Sequence, residues 1–420
     1  MSWSVRSSPH PVPPSLPRTL PPPTPSRSPS RLSLMAMPDP IYLDHAATTP
    51  VRREVLEAML PYFDGRFGNP SSTHRWGREA RTALDEARER VAASFGASPD
   101  EVCFTSGGTE ADNLAMLGGW RMLKSKGRTT IVTTPIEHKA VLASVHKAAG
   151  EGATERFLAV DGFGTVQMDD ARAKITDDVA LVSVIWVNNE VGTIQPIAEL
   201  ATLAKSRGAF FHTDAVQAFG TIEIDAKTIP FDFASISGHK IGAPKGIGAL
   251  YLRRGAPLEP LFFGGTQDRG RRPGTENVAF AIGLAKACEL AVAERESHGV
   301  KCRALRDRLE RGILANIPDA VINARGAARA PHIASITVPG ADGQSMLMAL
   351  DLMGIACSGG SACQSGSTGG SHVLAALDPS GQSGAAVRMS VGSLSDEAGI
   401  DRAIAVFSKL AMKARGTVTA

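Results

Sequence analysis

Three short stretches carry side chains that could do chemistry together. In FDFASISGHK, Ser237, His239 and Lys240 cluster directly after an apolar run; in AFFHTDAVQ, Asp214 ends another; in EVCFTSGGTE, Gly107, Gly108 and Thr109 follow a third. A lysine amine attacks carbonyl carbon, and a carboxylate at the end of a buried strand needs a cationic partner. Paired glycines let backbone N–H groups approach an anion at a helix start. Each stretch also has a plainer reading: a solvated lysine, a carboxylate paired with a structural arginine or an N-cap, a glycine turn with no ligand. Taken together they match what pyridoxal phosphate requires, namely a Schiff-base lysine, an acid facing the pyridinium nitrogen and a phosphate cradle. No G-x-G-x-x-G follows the first strand, and the glycines of PKGIGAL lie ahead of a strand, so a dinucleotide fold is set aside.

The elements that must position these residues are legible in the apolar pattern. From Ile41 onward strand, turn and helix alternate, which predicts an α/β architecture with a mainly parallel sheet. The runs TTIVTT, ALVSVIWV, AFFHTDA, FDFASIS and IGALYL read as buried strands, separated by helical stretches such as IAELATLAKSRG. EVCFTSGG reads as a strand entering a glycine turn, and TEADNLAML as the helix that follows. Arg78 to Phe95 places Ala80, Leu84, Ala87, Val91 and Phe95 on one helical face and stops at Gly96. In open sheets of this kind ligands bind at the carboxyl ends of the strands, which is where the three stretches lie. Beyond residue 296 helices predominate, with HIASITV and AVRMSV as more alternating strands, so a smaller α+β domain is expected there.

Composition narrows the function. With 420 residues, 43% hydrophobic and 21% charged, the chain exceeds one ordinary core, and its apolar runs are too short to span a membrane. A net charge of +3 gives no electrostatic footprint for nucleic acid. Cys103, Cys288, Cys302, Cys357 and Cys363 form no C-x-x-C pair and no regular spacing, so neither a disulfide framework nor a zinc site is expected. A reduced, cytoplasmic chain without a resident metal follows.

The strings YLDHAATTP, FGNPSSTHRWG, FTSGGTEADN, TPIEHKAV, VNNEVGTIQPI, HTDAVQAFG, SGHKIGAPKGIGALY, RRPGTENV and SGGSACQS occur in this order. From Ile41 to the last helix the chain resembles the NifS/IscS-type cysteine desulfurases of the class V aminotransferase superfamily. The resemblance implies a fold type I architecture: a large domain over residues 50–296 with a mainly parallel seven-stranded sheet, and a small domain built from 38–49 and 297–420. It also implies pyridoxal phosphate as cofactor, L-cysteine as substrate and a homodimer, with an iron–sulfur scaffold protein or a tRNA-thiolation enzyme as sulfur acceptor.

By that resemblance Lys240 binds the cofactor and serves as base for the substrate Cα proton, Asp214 keeps the ring nitrogen protonated, and Gln217 bonds the ring oxygen. His138 stacks on the ring; Gly108, Thr109, Ser237 and His239 hold the phosphate, joined by Thr275 of the other subunit. Asn189 and Arg388 clamp the substrate carboxylate, although a structural salt bridge is the plainer role for Arg388. Cys363, in the Gly/Ser-rich stretch ACSGGSACQSGSTGGSHVL, is the expected nucleophile, and it could ligate iron–sulfur species transiently. Cys357 follows the apolar MGIA and reads as structural; Cys103, Cys288 and Cys302 read as buried hydrophobes. Sulfur would leave L-cysteine as a Cys363 persulfide, with L-alanine as the other product.

Departures are few. Thr368, Gly369 and Gly370 stand where many relatives carry Leu-Glu-Pro, which bears on acceptor docking, and Gly360 replaces a common serine. The long spacing from Cys363 to SHVL resembles the IscS/NifS group rather than the SufS group. A selenocysteine lyase or another class V lyase would share the cofactor site; an aminotransferase would have no use for Cys363, and an inactive sulfur-transfer scaffold would have no use for an intact site. Residues 1–37 form a Pro/Ser/Arg-rich leader expected to be disordered. With Met35 and Met37 at its end, a misassigned start is the favoured reading and an organelle transit peptide the alternative.

Overall fold

A computed structural model describes residues 39–359, 370–378 and 384–416. The leader, the expected nucleophile Cys363 and the positions Gly360, Thr368 and Gly369 lie outside the described residues.

The chain opens with a short strand, β1 (Ile41–Tyr42). Seven strands then make one sheet: β2 (Val102–Thr105), β3 (Thr130–Thr133), β4 (Thr154–Phe157), β5 (Val179–Ser183), β6 (Phe210–Asp214), β7 (Phe233–Ser237) and β8 (Gly248–Leu252). Their spatial order is β2-β8-β7-β6-β5-β3-β4, parallel throughout except for β8, which runs against both β7 and β2. Except for β4 and the first residue of β6, every residue of these strands is buried. That burial is why they read as continuous apolar runs rather than alternating ones. The run ALVSVIWV is only partly regular strand, since β5 stops at Ser183, yet Val184 and Trp186 still donate to the carbonyls of His212 and Asp214. The edge strand β4, TERF, carries two charged residues and no apolar alternation, so the pattern gave it no signal.

Helix Arg75–Ala93 carries the predicted stripe: Ala80, Leu84, Ala87, Val91 and, just beyond its end, Phe95 are all fully buried. The TEADN helix begins at Gly108 and widens into a π turn over Leu114–Gly118. A Cβ at Gly118 would lie 2.3 Å from the Glu259 carbonyl oxygen, so glycine lets the chain at Glu259 close over this turn.

A second set of strands follows: β9 (Val321–Ile322), β10 (Ile333–Pro339), β11 (Ile355–Ala356) and β12 (Gly384–Ser390). Strand β10 pairs antiparallel with β9 and β12, while β11 pairs in parallel with β1. Their apolar faces join helices Arg295–Asn316 and Glu397–Gly416 in a core that includes Leu43, Leu309, Ile336, Val387 and Phe407, separate from the core under the large sheet. Among the described residues no helix is long and apolar enough to cross a membrane.

Candidate active site

The carboxyl ends of β6 and β7 are hydrogen-bonded neighbours, with Asp214 in register with Ser235. Asp214 therefore ends one strand beside the Ser237–Lys240 turn that ends the next. The Gly107–Gly108 turn closes the same edge, because β8 brings Gly248 against it. A Cβ at Gly248 would lie 2.5 Å from the Ile236 oxygen and 2.8 Å from the Gly107 Cα, and one at Gly108 would lie 2.8 Å from Val216 Cγ2. At Gly248 backbone meets backbone, and at Gly108 the Val216 side chain fills the space a Cβ would take.

A cavity of about 220 Å³ opens at this edge, lined by Gly108, Thr109, His138, Asn189, Asp214, Gln217, Ser237, His239, Lys240 and Arg388. Ten of the predicted site residues thus face one space. Thr275 does not line it; that residue is exposed, in the segment ahead of helix Val278–Ala293.

The lysine end of the cavity is organised by the AATTP segment. Lys240 Nζ donates to the carbonyls of Ala46 at 2.6 Å and Ala47 at 2.8 Å, and Gln217 Nε2 donates to the same Ala46 oxygen at 2.8 Å. Thr49 donates to the His239 carbonyl through both its N–H and its hydroxyl, each at 2.9 Å. Burial, and then the charges of Lys240 and Lys245, push the His239 imidazole down to about 4, so it is neutral at pH 7.

At the opposite end sits a buried carboxyl pair. Asp214 accepts from the Val216 N–H at 2.9 Å, and burial followed by the nearby Asp112 raises its carboxyl to about 6. Asp112 is raised further, to about 7, by burial. Ligand atoms of Asp112, His138 and Asp214 all lie within 4.8 Å of one another. Beneath them His212 is held between the hydroxyls of Ser183 at 2.8 Å and Ser235 at 3.0 Å, and burial lowers it to about 4. His138 caps helix Lys139–Gly150, its Nδ1 accepting from the Ala140 N–H at 3.2 Å, and burial lowers its pKa.

Arg388, on β12, is 2% exposed. Its guanidinium donates to Asp44 Oδ1 at 2.8 Å and to the Asn189 carbonyl at 2.8 Å, and Ser358 Oγ reaches Asp44 Oδ1 at 3.1 Å. The plainer role considered for Arg388 is therefore real, and it coexists with a place in the cavity wall. Cys357 is half-buried beside this pair, its thiol pushed up to about 12 by burial and then by Asp44 and Asp351, as befits a structural cysteine. Cys103, Cys288 and Cys302 are buried.

Sequence reasoning passed over four polar residues of this region: Asp44, Asp112, Glu137 and His372. Asp44 lies inside YLDHAATTP, and Asp112 sits four residues after Gly108 on the same helical face, a spacing that could have placed it in the cavity. Glu137 and His372 carried no signal of their own. Glu137 is fully buried, accepting from Thr134 Oγ1 at 2.7 Å and the Ile185 N–H at 2.9 Å, and burial drives its carboxyl well above the usual carboxylate range.

A model of the aminotransferase class-V family matches residues 41–403. The cysteine desulfurase IscS of Methanosarcina thermophila is 44% identical over 376 residues, 89% of this chain and 93% of that protein. NifS of Azotobacter vinelandii is 46% identical over 366 residues, 87% of this chain and 90% of its own. A solved NifS-like protein superposes with a TM-score of 0.83 at 34% identity, over 89% of this chain and all of that one. The chain belongs to the aminotransferase class-V family, and within it to the cysteine desulfurases of the NifS and IscS kind.

That family works with pyridoxal phosphate, and the residues present fit it. A glycine-bounded helix start with Ser237 and His239 beside it suits the phosphate, a buried carboxyl on β6 suits a protonated ring nitrogen, and a lysine amine lines the same cavity.

Proposed function

We propose that this cavity is where the cysteine desulfurase takes sulfur from L-cysteine, releasing L-alanine and leaving a persulfide on Cys363. The observation that carries the reading is the convergence of Lys240, Asp214, His138, the Gly108–Thr109 turn and Arg388 on one space.

Gly108, Thr109, Ser237 and His239 would hold the cofactor phosphate, Lys240 its reactive carbon, Asp214 its ring nitrogen, Gln217 its ring oxygen and His138 its face. When bound, the cofactor supplies an electron sink for the pair left at the substrate α-carbon. An ionised Asp214 favours a protonated ring nitrogen, and that cation in turn draws the carboxyl pKa back down. The buried Arg388 charge, oriented by Asp44 and the Asn189 carbonyl, receives the substrate carboxylate. Lys240 takes the Cα proton. The Cys363 thiolate then attacks the substrate sulfur: an S–S bond forms, the C–S bond breaks, and one proton delivered to the β-carbon and another returned to the α-carbon complete alanine.

The persulfide passes to an acceptor of the iron–sulfur assembly or tRNA-thiolation kind. In the same reading two copies pair so that Thr275 of each completes the phosphate site of the other, 50–296 and 38–49 with 297–420 act as the large and small domains, and the enzyme works in the cytoplasm.

The test mixes the purified holoenzyme with L-cysteine, quantifies alanine and maps added sulfur by peptide mass spectrometry. Alanine with one extra sulfur on the Cys363 peptide is the expected result. Neither product from a cofactor-loaded preparation would leave a class V lyase of other substrate.

A further inference from the structure

Three imidazoles line the cavity, those of His138, His239 and His372. A neutral imidazole has one donor and one acceptor nitrogen, so each hydrogen bond it makes decides what the other nitrogen can do. His138 spends its lone pair on the Ala140 N–H, which places its proton on Nε2 and leaves it a donor. His239 shares Nδ1 with the Thr48 hydroxyl at 3.1 Å. His372 is the reverse of His138. Its Nε2 lies 3.0 Å from the Glu137 carbonyl oxygen, which can only accept, so Nε2 carries the proton and Nδ1 the lone pair. That Nδ1 has no hydrogen-bond partner among the described residues.

The residues flanking His372 are anchored on both sides. Ser371 bonds Glu190 Oε2 at 2.5 Å and accepts from the Leu374 N–H at 3.1 Å, which caps helix His372–Leu377. Val373 is fully buried against Ile136 and Val191.

Ionisable groups face this ring from several elements. Glu137, His138 and Lys139 come from the segment entering helix Lys139–Gly150, Glu190 from the turn beyond β5, and Arg388 from β12; Asp112, Asp214, His239 and Lys240 line the rest of the cavity. Burial disfavours a charged His138.

Resting on the desulfurase reading, we propose that His372 is a catalytic base that takes a proton from the α-ammonium group of the incoming amino acid through Nδ1. L-cysteine arrives as a zwitterion whose ammonium has no lone pair. The Nδ1 pair takes one ammonium proton, the N–H electron pair stays on the substrate nitrogen as the amine becomes nucleophilic, and the imidazolium later returns its proton to water. Nothing is oxidised or reduced.

The experiment compares His372→Ala and His372→Gln holoenzymes with wild type. Glutamine can still donate to the Glu137 carbonyl but is no base at neutral pH, so it separates anchoring from proton transfer. Both variants should lose about 10²-fold in kcat/KM for L-cysteine. The loss should be greatest at low pH and shrink as pH rises and free amine accumulates, and added imidazole should restore part of the rate of His372→Ala. Without turnover, ¹⁵N NMR of the cofactor-free wild-type protein should show His372 protonated at Nε2 and bare at Nδ1. A wild-type rate for His372→Gln, a pH-independent loss without imidazole rescue, or a proton on Nδ1 would each overturn the proposal while leaving alanine production by the wild type intact. Failure of the wild type to make alanine is the separate result that removes the desulfurase reading itself.

Discussion

The two sides of the cavity are assembled differently. The proposed cofactor side comes from neighbouring strand ends: Gly107–Thr109 after β2, Asp214 on β6 and Ser237–Lys240 after β7. The proposed substrate side gathers Asp44, Asn189, His372 and Arg388 from separate parts of the chain, and the ion pair at its heart joins residues 344 apart in sequence. A sheet edge can offer several side chains to one ligand because parallel strands all end on the same side. A carboxylate clamp over that edge needs the second core, with β12 and β1, to swing a buried arginine and its acid into place. One side should therefore govern whether the cofactor is held, and the other how the amino acid is held.

Breaking the cofactor side gives the largest effect. Lys240→Ala should lose the visible absorbance of the bound cofactor and about 10³-fold or more of the alanine-forming rate. Cys363→Ala should keep that absorbance yet form no persulfide, and Cys357→Ala should leave both unchanged, since its thiol is buried and held protonated. A Cys357→Ala enzyme that loses persulfide formation would exchange the roles of the two cysteines.

Breaking the substrate side is milder. Asp44→Asn keeps the shape and one acceptor oxygen beside Arg388 but removes the charge that orients it. The KM for L-cysteine should rise about tenfold, or about 1.4 kcal/mol, with a smaller change in kcat and unchanged cofactor absorbance. An equal loss of cofactor would erase the distinction between the two sides.

A separate effect is on stability rather than on activity. The folded pKa of Asp112, raised by burial to about 7 from its usual 3.8, means that the native state binds a proton there that the unfolded chain releases. Its contribution is present below the unfolded value and is lost as pH rises from about 4 to 7. Asp112→Asn removes this term, so the variant should gain on wild type by about 2–4 kcal/mol across that window, read as the difference in urea midpoints of the cofactor-free proteins. His212, lowered by burial to about 4, works the other way in both proteins, weakening the fold as pH falls from 6.5 towards 4. Because Asp112 Oδ1 lies 3.5 Å from His212 Nε2, the difference between the two proteins reports the pair.

How much of this was legible follows from the same contrast. Each cofactor-side residue closes an apolar run, where a polar side chain is conspicuous: Asp214 after FFHT, Lys240 after FASISGH, the glycines after VCFT. The substrate side gave weaker signals. Arg388 sits in a strand pattern that fits a structural salt bridge equally well, and Asp44 and His372 lie in short segments whose periodicity says nothing of where they point. Thr275, expected from a second copy, lies away from the cavity of its own chain.

By itself the sequence determined the α/β pattern, the strand-end residues and, through its ordered motifs, the family. Apolar periodicity and turn residues act locally, and so they can be read locally. Only the tertiary structure decided that Arg388 meets Asp44, that Asp112 crowds Asp214, and that His372 bonds the Glu137 carbonyl and keeps its Nδ1 lone pair. Ion pairs, pKa shifts and tautomers depend on which groups share a buried space, and chain connectivity does not encode that until both cores have packed.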